Sequence, residues 1–165
     1  MEIRRQLTLF LQNESSEIVE KIRKKYNPKQ FELIKAHVTL CREDEIENLD
    51  QILTNIASLK EKAITIRFEK LERFDNGKGV YLKSDDAQEY HKLRQQILKT
   101  IIDSPREQTP HITLMHPRNS ICDNEIFEKI STEKIPLSFT FSEISLIEQE
   151  KGEKWKLIKT FRLTN

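Results

Sequence analysis

Cysteine is nearly absent from this 165-residue chain: Cys41 and Cys122 are the two present, and they form no Cys-x-x-Cys pair. That excludes a disulfide framework and leaves two free thiols as the plain reading, so a cytoplasmic protein is expected. Long apolar runs are missing as well, and no stretch approaches the roughly 20 residues needed to span a membrane. Arg4 and Arg5 stand near the N-terminus, but the apolar stretch after them is too short and too interrupted for a secretory signal. An excess of one charge is also lacking. With 28 Lys and Arg against 27 Asp and Glu, the net charge is +1, so no broad surface for duplex nucleic acid is expected. A local basic cleft is still compatible with that balance. The segment Asn76-Gly77-Lys78-Gly79 lacks the glycine spacing of a phosphate loop and the Ser or Thr after its Lys. It reads as a hairpin turn, which argues against an ATP-driven ligase. His111, His116 and Cys122 have no fourth ligand at a familiar zinc spacing, so neither metal nor cofactor is expected.

What the chain does have is one tetrapeptide written twice, His37-Val38-Thr39-Leu40 and His111-Ile112-Thr113-Leu114. Such residues favour strands, whose side chains alternate between faces. Each copy should bury Leu with Val or Ile and project His and Thr together from the opposite face. Two such strands side by side would bring two imidazoles and two hydroxyls into one cleft.

The rest of the chain arranges itself around these copies. Gln6 to Leu11 alternates as a first strand. A helix with Ile18, Val19, Ile22 and Tyr26 on its apolar stripe should end at Asn27-Pro28, with a loop after it. Glu43 to Glu45 should open the next helix, striped by Ile46, Leu49, Leu53 and Ile56. Ile64, Ile66 and Phe68 alternate, the turn at Asp75 to Gly79 follows, and Val80 to Lys83 returns as a partner strand. Ser84 with Asp85 and Asp86 should start a third helix carrying Tyr90, Leu93, Ile97 and Ile101. After the second motif come a short helix near Glu125 to Ile130 and the alternating sets Leu137, Phe139, Phe141 and Ile144, Leu146, whose phase slips between them. The slip suggests a bulge or bend. A turn at Lys151-Gly152 leads to a last strand with Trp155, Leu157, Phe161 and Leu163. His37 lies 40 positions before Gly77, and His111 lies 41 before Gly152. The architecture therefore repeats, and a single domain of two similar lobes over residues 1–165 is expected, with a site at their seam.

The chemistry of the motif suits a phosphate ester. One neutral imidazole takes a proton from water or a hydroxyl while a second, protonated one gives a proton to the leaving oxygen, both near the ordinary histidine pKa of about 6.5. Threonine hydroxyls two residues away can hydrogen-bond the non-bridging oxygens and stabilise charge in a five-coordinate transition state. No metal and no activated serine or cysteine is required. Against this stands the blander reading of two matched core histidines, which does not explain why both polar faces carry the same two residue types.

In these tetrapeptides the sequence resembles the 2H phosphoesterases, which include RNA 2',5'-ligase-like proteins and cyclic nucleotide phosphodiesterases and carry one His-x-Ser/Thr motif per lobe. The resemblance implies an α+β, bilobal fold with mostly antiparallel sheets lining a cleft and helices outside. It implies His37 and His111 as the acid/base pair, in an order the symmetric motifs leave open, and Thr39 and Thr113 as phosphate clamps. It further implies metal-independent cleavage of 2',3'-cyclic phosphates or 2',5' linkages in a nucleotide or RNA end. RNA 2',5' ligation and a non-catalytic nucleotide-binding module are the alternatives. Arg42 and Arg118, each soon after a motif, are further candidates for holding phosphate, and Tyr81 for stacking on a base. Surface and core roles compete for all three. His116 should face away from His111 if its strand continues, and His91 should be solvated. A monomer is expected.

Overall fold

The computed structural model describes residues 2–74 and 77–164. Its strands are β1 (Ile3–Phe10), β2 (His37–Cys41), β3 (Ile64–Arg73), β4 (Val80–Asp86), β5 (His111–Met115), β6 (Ser138–Phe141), β7 (Glu143–Glu150) and β8 (Lys156–Arg162). The helices are α1 (Glu17–Tyr26), α2 (Pro28–Leu33), α3 (Leu49–Ala57), α4 (Gln88–Leu98) and α5 (Asn124–Ser131). The fold is α+β, with two four-stranded sheets ordered β2-β1-β7-β8 and β5-β4-β3-β6. Every pairing between these strands is antiparallel.

The two sheets repeat one plan. Each carries its motif strand at an edge, next to the strand that precedes it in the chain across a helical connection: β1 and β2 in one, β4 and β5 in the other. The sheets are not the two halves of the chain, however. The hairpin after β2 and α3 builds the centre of the second sheet, whereas the hairpin β7–β8, after β5 and α5, completes the first. The connecting helices cross over too. Both α1 and α4 precede their own motif strand in sequence, yet α1 packs against β5, and α4 packs against β2 as well as β3. Each motif strand is therefore held from behind by the other repeat.

Alternation is strict where it matters. Val38, Leu40, Ile112 and Leu114 are buried in one core that also takes Leu7, Leu9, Ile64, Ile66, Leu82, Leu93 and Ile97, while the His and Thr of each motif are only half-buried. Burying each of these aliphatic side chains contributes on the order of 2 kcal/mol. This is what keeps the register, since a slip of one residue would turn the polar pair into the core.

Several expectations are corrected. Pro28 ends α1 but begins α2, because a proline at the first helical position loses no hydrogen bond. Glu43–Glu45 form a separate 3-10 turn, and α3 starts after Asn48, whose side chain accepts the Gln51 N–H. Ser84, Asp85 and Asp86 extend β4 and start no helix; the Ser84 hydroxyl donates to the Arg67 carbonyl, and α4 ends at Leu98, before Ile101. The slip in phase after Phe141 is no bulge within one strand. There the chain leaves β6 in one sheet and enters β7 in the other, so the two alternating sets serve different sheets. Leu157 is 61% exposed on the outer strand β8, outside the core that its alternation suggested. Of the Asp75–Gly79 turn, Asp75 and Asn76 lie outside the described residues; Gly77 has a φ of +67°, as such a turn requires.

Candidate functional site

The polar faces of the edge strands β2 and β5 meet in a cleft of about 160 Å³ lined by His37, Thr39, His111 and Thr113. This is room for a few waters at about 30 Å³ each, the scale of a phosphoryl group. Arg4 and Gln6 enter from β1, Arg23 from α1, and His116, Arg118 and Trp155 from the segments after β5 and β7. Three arginines and three histidines thus face one small space, and among the described residues no carboxylate lines it. Arginine is concentrated here despite the near-zero net charge, with Arg4 paired to Glu43 and Arg23 to Glu20 just outside the cleft.

The imidazoles are held alike. His37 Nδ1 donates to the Lys35 carbonyl at 2.8 Å, and His111 Nδ1 to the Thr109 carbonyl at 3.3 Å. A carbonyl only accepts, so each Nδ1 carries its proton and each Nε2 is left for chemistry. Burial lowers the His37 pKa to about 4; the bond to Lys35 opposes this, while the charges of Arg23, His111 and His116 add to it. His111 is lowered for the same reason, burial first, with its bond to Thr109 opposing and the charge of Arg42 contributing. Both rings are therefore neutral at pH 7 in the free protein. An anionic substrate between them would favour the charged form and return a proton to one of them.

A buried polar network fixes the backbone behind Thr39. Its carbonyl accepts from the Tyr90 hydroxyl at 2.8 Å and from Gln108 Nε2 at 3.1 Å, and the next carbonyl, of Leu40, accepts from Arg94 at 2.6 Å. Arg94 is paired through both terminal nitrogens with Glu45 and is 2% exposed. On the other side, Arg23 donates to the Ile34 carbonyl at 2.7 Å and pairs with Glu20, whose second oxygen accepts from the Ala36 N–H. That brace sets the segment leading into His37. The end of β5 is braced by Asn27, which accepts from the His116 N–H at 2.8 Å and donates to Asn119.

Of the residues singled out from sequence, His37, Thr39, His111, Thr113 and Arg118 line the cleft. Arg42 does not; it is exposed at the start of the Glu43–Glu45 turn, where its N–H donates to Glu45, and only its charge is felt at His111. Tyr81, on β4, lines a second recess of about 370 Å³ with Phe74, Lys83, Thr109 and His111. Its ring stands edge-on to His111 at 5.4 Å between centroids. His116 is a correction. The strand ends at Met115, so alternation stops there and His116 turns into the cleft. His91 is exposed, as expected. Among the described residues no three His, Cys, Asp or Glu side chains gather to hold a metal ion, and no helix is long and apolar enough to cross a membrane.

Sequence reasoning missed Arg4, Arg23, Gln6, Gln30 and Trp155. A signal existed for Arg23: it lies on the buried stripe of α1 with Val19, Ile22 and Tyr26, where a charge needs a reason.

The comparisons agree with this geometry. The profile of the 2'-5' RNA ligase superfamily matches residues 11–153. No curated protein matches the sequence. Among solved structures, E. coli LigT in apo form has a TM-score of 0.67 at 18% identity, with 100% of both chains covered. The same protein complexed with 3'-AMP gives 0.63 at 18%, covering 98% of each chain. The crystal structure of a phosphoesterase gives 0.64 at 17%, with 99% of this chain and 100% of that one covered. Two edge strands with matching His-x-Thr faces, a shared fold and a profile spanning most of the sequence lead to one assignment. The chain belongs to the 2'-5' RNA ligase superfamily and is a phosphoesterase of the 2H type.

Proposed function

We propose that this phosphoesterase hydrolyses phosphodiesters of nucleotides or RNA ends, those bearing a 2',3'-cyclic phosphate or a 2',5' linkage, without a metal. The observation that carries the reading is the pair of Nε2 atoms presented into one arginine-rich cleft beside two threonine hydroxyls. Thr39 and Thr113 hold the non-bridging oxygens, and Arg4, Arg23 and Arg118 supply the positive field that draws the phosphate in. One imidazole takes a proton from water as its oxygen attacks phosphorus. The other, protonated, delivers its proton to the departing oxygen as that P–O bond breaks. The Tyr81 recess beside His111 takes the base of the nucleoside attached to the phosphate. LigT complexed with 3'-AMP makes a nucleotide a reasonable substrate here. The chain works as one bilobal monomer, since a single copy supplies both histidines.

The test is hydrolysis of 2',3'-cyclic nucleotides and 2',5'-linked dinucleotides in EDTA, with wild type beside His37→Ala and His111→Ala. Turnover that survives EDTA and drops by about a hundredfold or more in each variant is expected. Equal rates in all three proteins would remove the histidines from the chemistry. The superfamily's description favours ligation as the second reading. RNA ends carrying a cyclic phosphate and a 5'-hydroxyl separate the two, because a 2',5'-joined product requires ligation.

A further inference from the structure

The cleft is flanked on both sides, and the two flanks differ. On the β5 side lies the recess of Tyr81 and Phe74, about 370 Å³. On the β2 side a groove of about 900 Å³ runs between α2 with the segment after it and strands β7 and β8. Its walls are largely apolar: Phe10, Phe31, Ile34, Trp155 and Leu157, with Lys35, Lys154, Glu20 and Glu32 also lining it. Ile34 and Trp155 line both groove and cleft, so the two spaces adjoin. The arrangement about the histidines is matched. Phe10, paired with His37 across β1 and β2, stands edge-on to it at 6.1 Å, as Tyr81 stands to His111 at 5.4 Å. Each histidine thus has an aromatic side chain at its outer edge and a recess beyond.

A cyclic mononucleotide has one organic arm and would leave one recess empty. The groove is at the upper end of the size range for small-molecule sites, and its aromatic walls suit stacked bases. We propose that the groove binds the second nucleoside of a two-armed diester. Its base lies among Trp155, Phe31 and Leu157, the phosphate sits in the cleft and the first nucleoside occupies the Tyr81 recess. The protein then prefers linkages joining two nucleosides over terminal cyclic phosphates. This rests on the phosphodiesterase reading for its consequence in turnover, but the binding itself does not.

Trp155 is the only tryptophan in the chain, so its fluorescence reports on the groove. The experiment titrates adenylyl-2',5'-adenosine, adenosine 2',3'-cyclic phosphate and inorganic phosphate into the His111→Ala variant, in which the diester survives. The dinucleotide should quench Trp155 more deeply than either other ligand. Adding Leu157→Glu or Phe31→Ala should raise its Kd by about tenfold or more, the loss of one base stack, while the Kd of the cyclic nucleotide stays within about twofold. Leu157 is 61% exposed, so its replacement leaves the fold intact. Quenching no deeper with the dinucleotide than with phosphate, or an unshifted dinucleotide Kd in both variants, overturns the proposal. Intact quenching in a wild-type protein that cleaves neither the dinucleotide nor the cyclic nucleotide keeps the groove and removes the phosphodiesterase reading instead.

Discussion

Arg94 on α4 donates to the carbonyl of Leu40 on β2, one residue beyond Thr39, with 2.6 Å between nitrogen and oxygen. Helix and strand belong to different repeats, so this bond and the Glu45 pair beside it fasten one repeat to the motif strand of the other.

Removing one partner should therefore be costly. Arg94→Met leaves the Glu45 carboxylate, 1% exposed, without its buried partner, and a loss of about 3–5 kcal/mol in urea unfolding is expected. Burial works against ionisation of Glu45, but hydrogen bonds from Arg94 and the Arg42 N–H, with the charges of Arg94 and Arg106, hold its pKa below the ordinary carboxylate value. A lowered acid stabilises the fold above its unfolded value of about 4.3, and this contribution is lost as pH falls through the folded value. Wild type should thus lose stability on acidification more steeply than Glu45→Gln.

The histidine environment shapes the pH profile. Because both imidazoles are lowered, the one-proton form of the free pair is most abundant between about 4, the value for His37, and His111's value below 6.5. The kcat/KM bell should peak on the acid side of pH 6.5 and fall with rising pH. This holds whichever ring is the base. A profile flat from pH 5 to 9 would contradict paired imidazole catalysis. The same burial makes neutral His37 the form suited to the fold, so its contribution to stability declines as pH drops from about 6.5 toward 4.

Gly79 allows a close approach. A Cβ there would collide with the Met115 carbonyl, the Phe74 ring and Pro117. Gly79→Ala should cost about 1–3 kcal/mol in stability and reduce kcat, because the displaced backbone is the end of the β5 motif strand. Thermal unfolding alongside steady-state kinetics checks both parts.

The thiols should be inert. Burial pushes Cys41 up to about 12, against the nearby charge of Arg94, and raises Cys122 as well. Neither forms a useful thiolate at neutral pH. Iodoacetamide should leave the folded protein unlabelled and fully active, with mass spectrometry as the readout; rapid labelling with loss of activity would contradict this burial.

Much of the site could be read from the chain because the motif is local. Alternation over four residues decides which side chains share a face, and β2 and β5 obey it. What escaped depends on distant partners. His116 was misplaced because Pro117 marks where the strand must stop but not that it stops two residues earlier, at Met115. Arg4 reaches the cleft because β1 lies beside β2, a pairing no spacing reveals. Arg23 and Arg94 share a signature that was legible, since each follows the central aliphatic of a buried stripe, Ile22 in α1 and Leu93 in α4. Both turned out to brace backbone beside a motif strand. The slip after Phe141 was visible, but its cause was a change of sheet, which only the pairing of β6 with β3 and β7 with β1 makes plain.

The exchange of hairpins between the sheets also sets when the site can exist during synthesis. β1 pairs Ile3 with Glu150 and Thr8 with Ser145, so the first sheet lacks its inner partner until β7 has left the ribosome. The β3–β4 hairpin, joined by β5, can assemble long before then. Such distant closure is slow compared with local pairing. The nascent chain would carry its second histidine beside the β3–β4 hairpin while the first waited for β7, so the paired site would come together only once residues 143–150 were made.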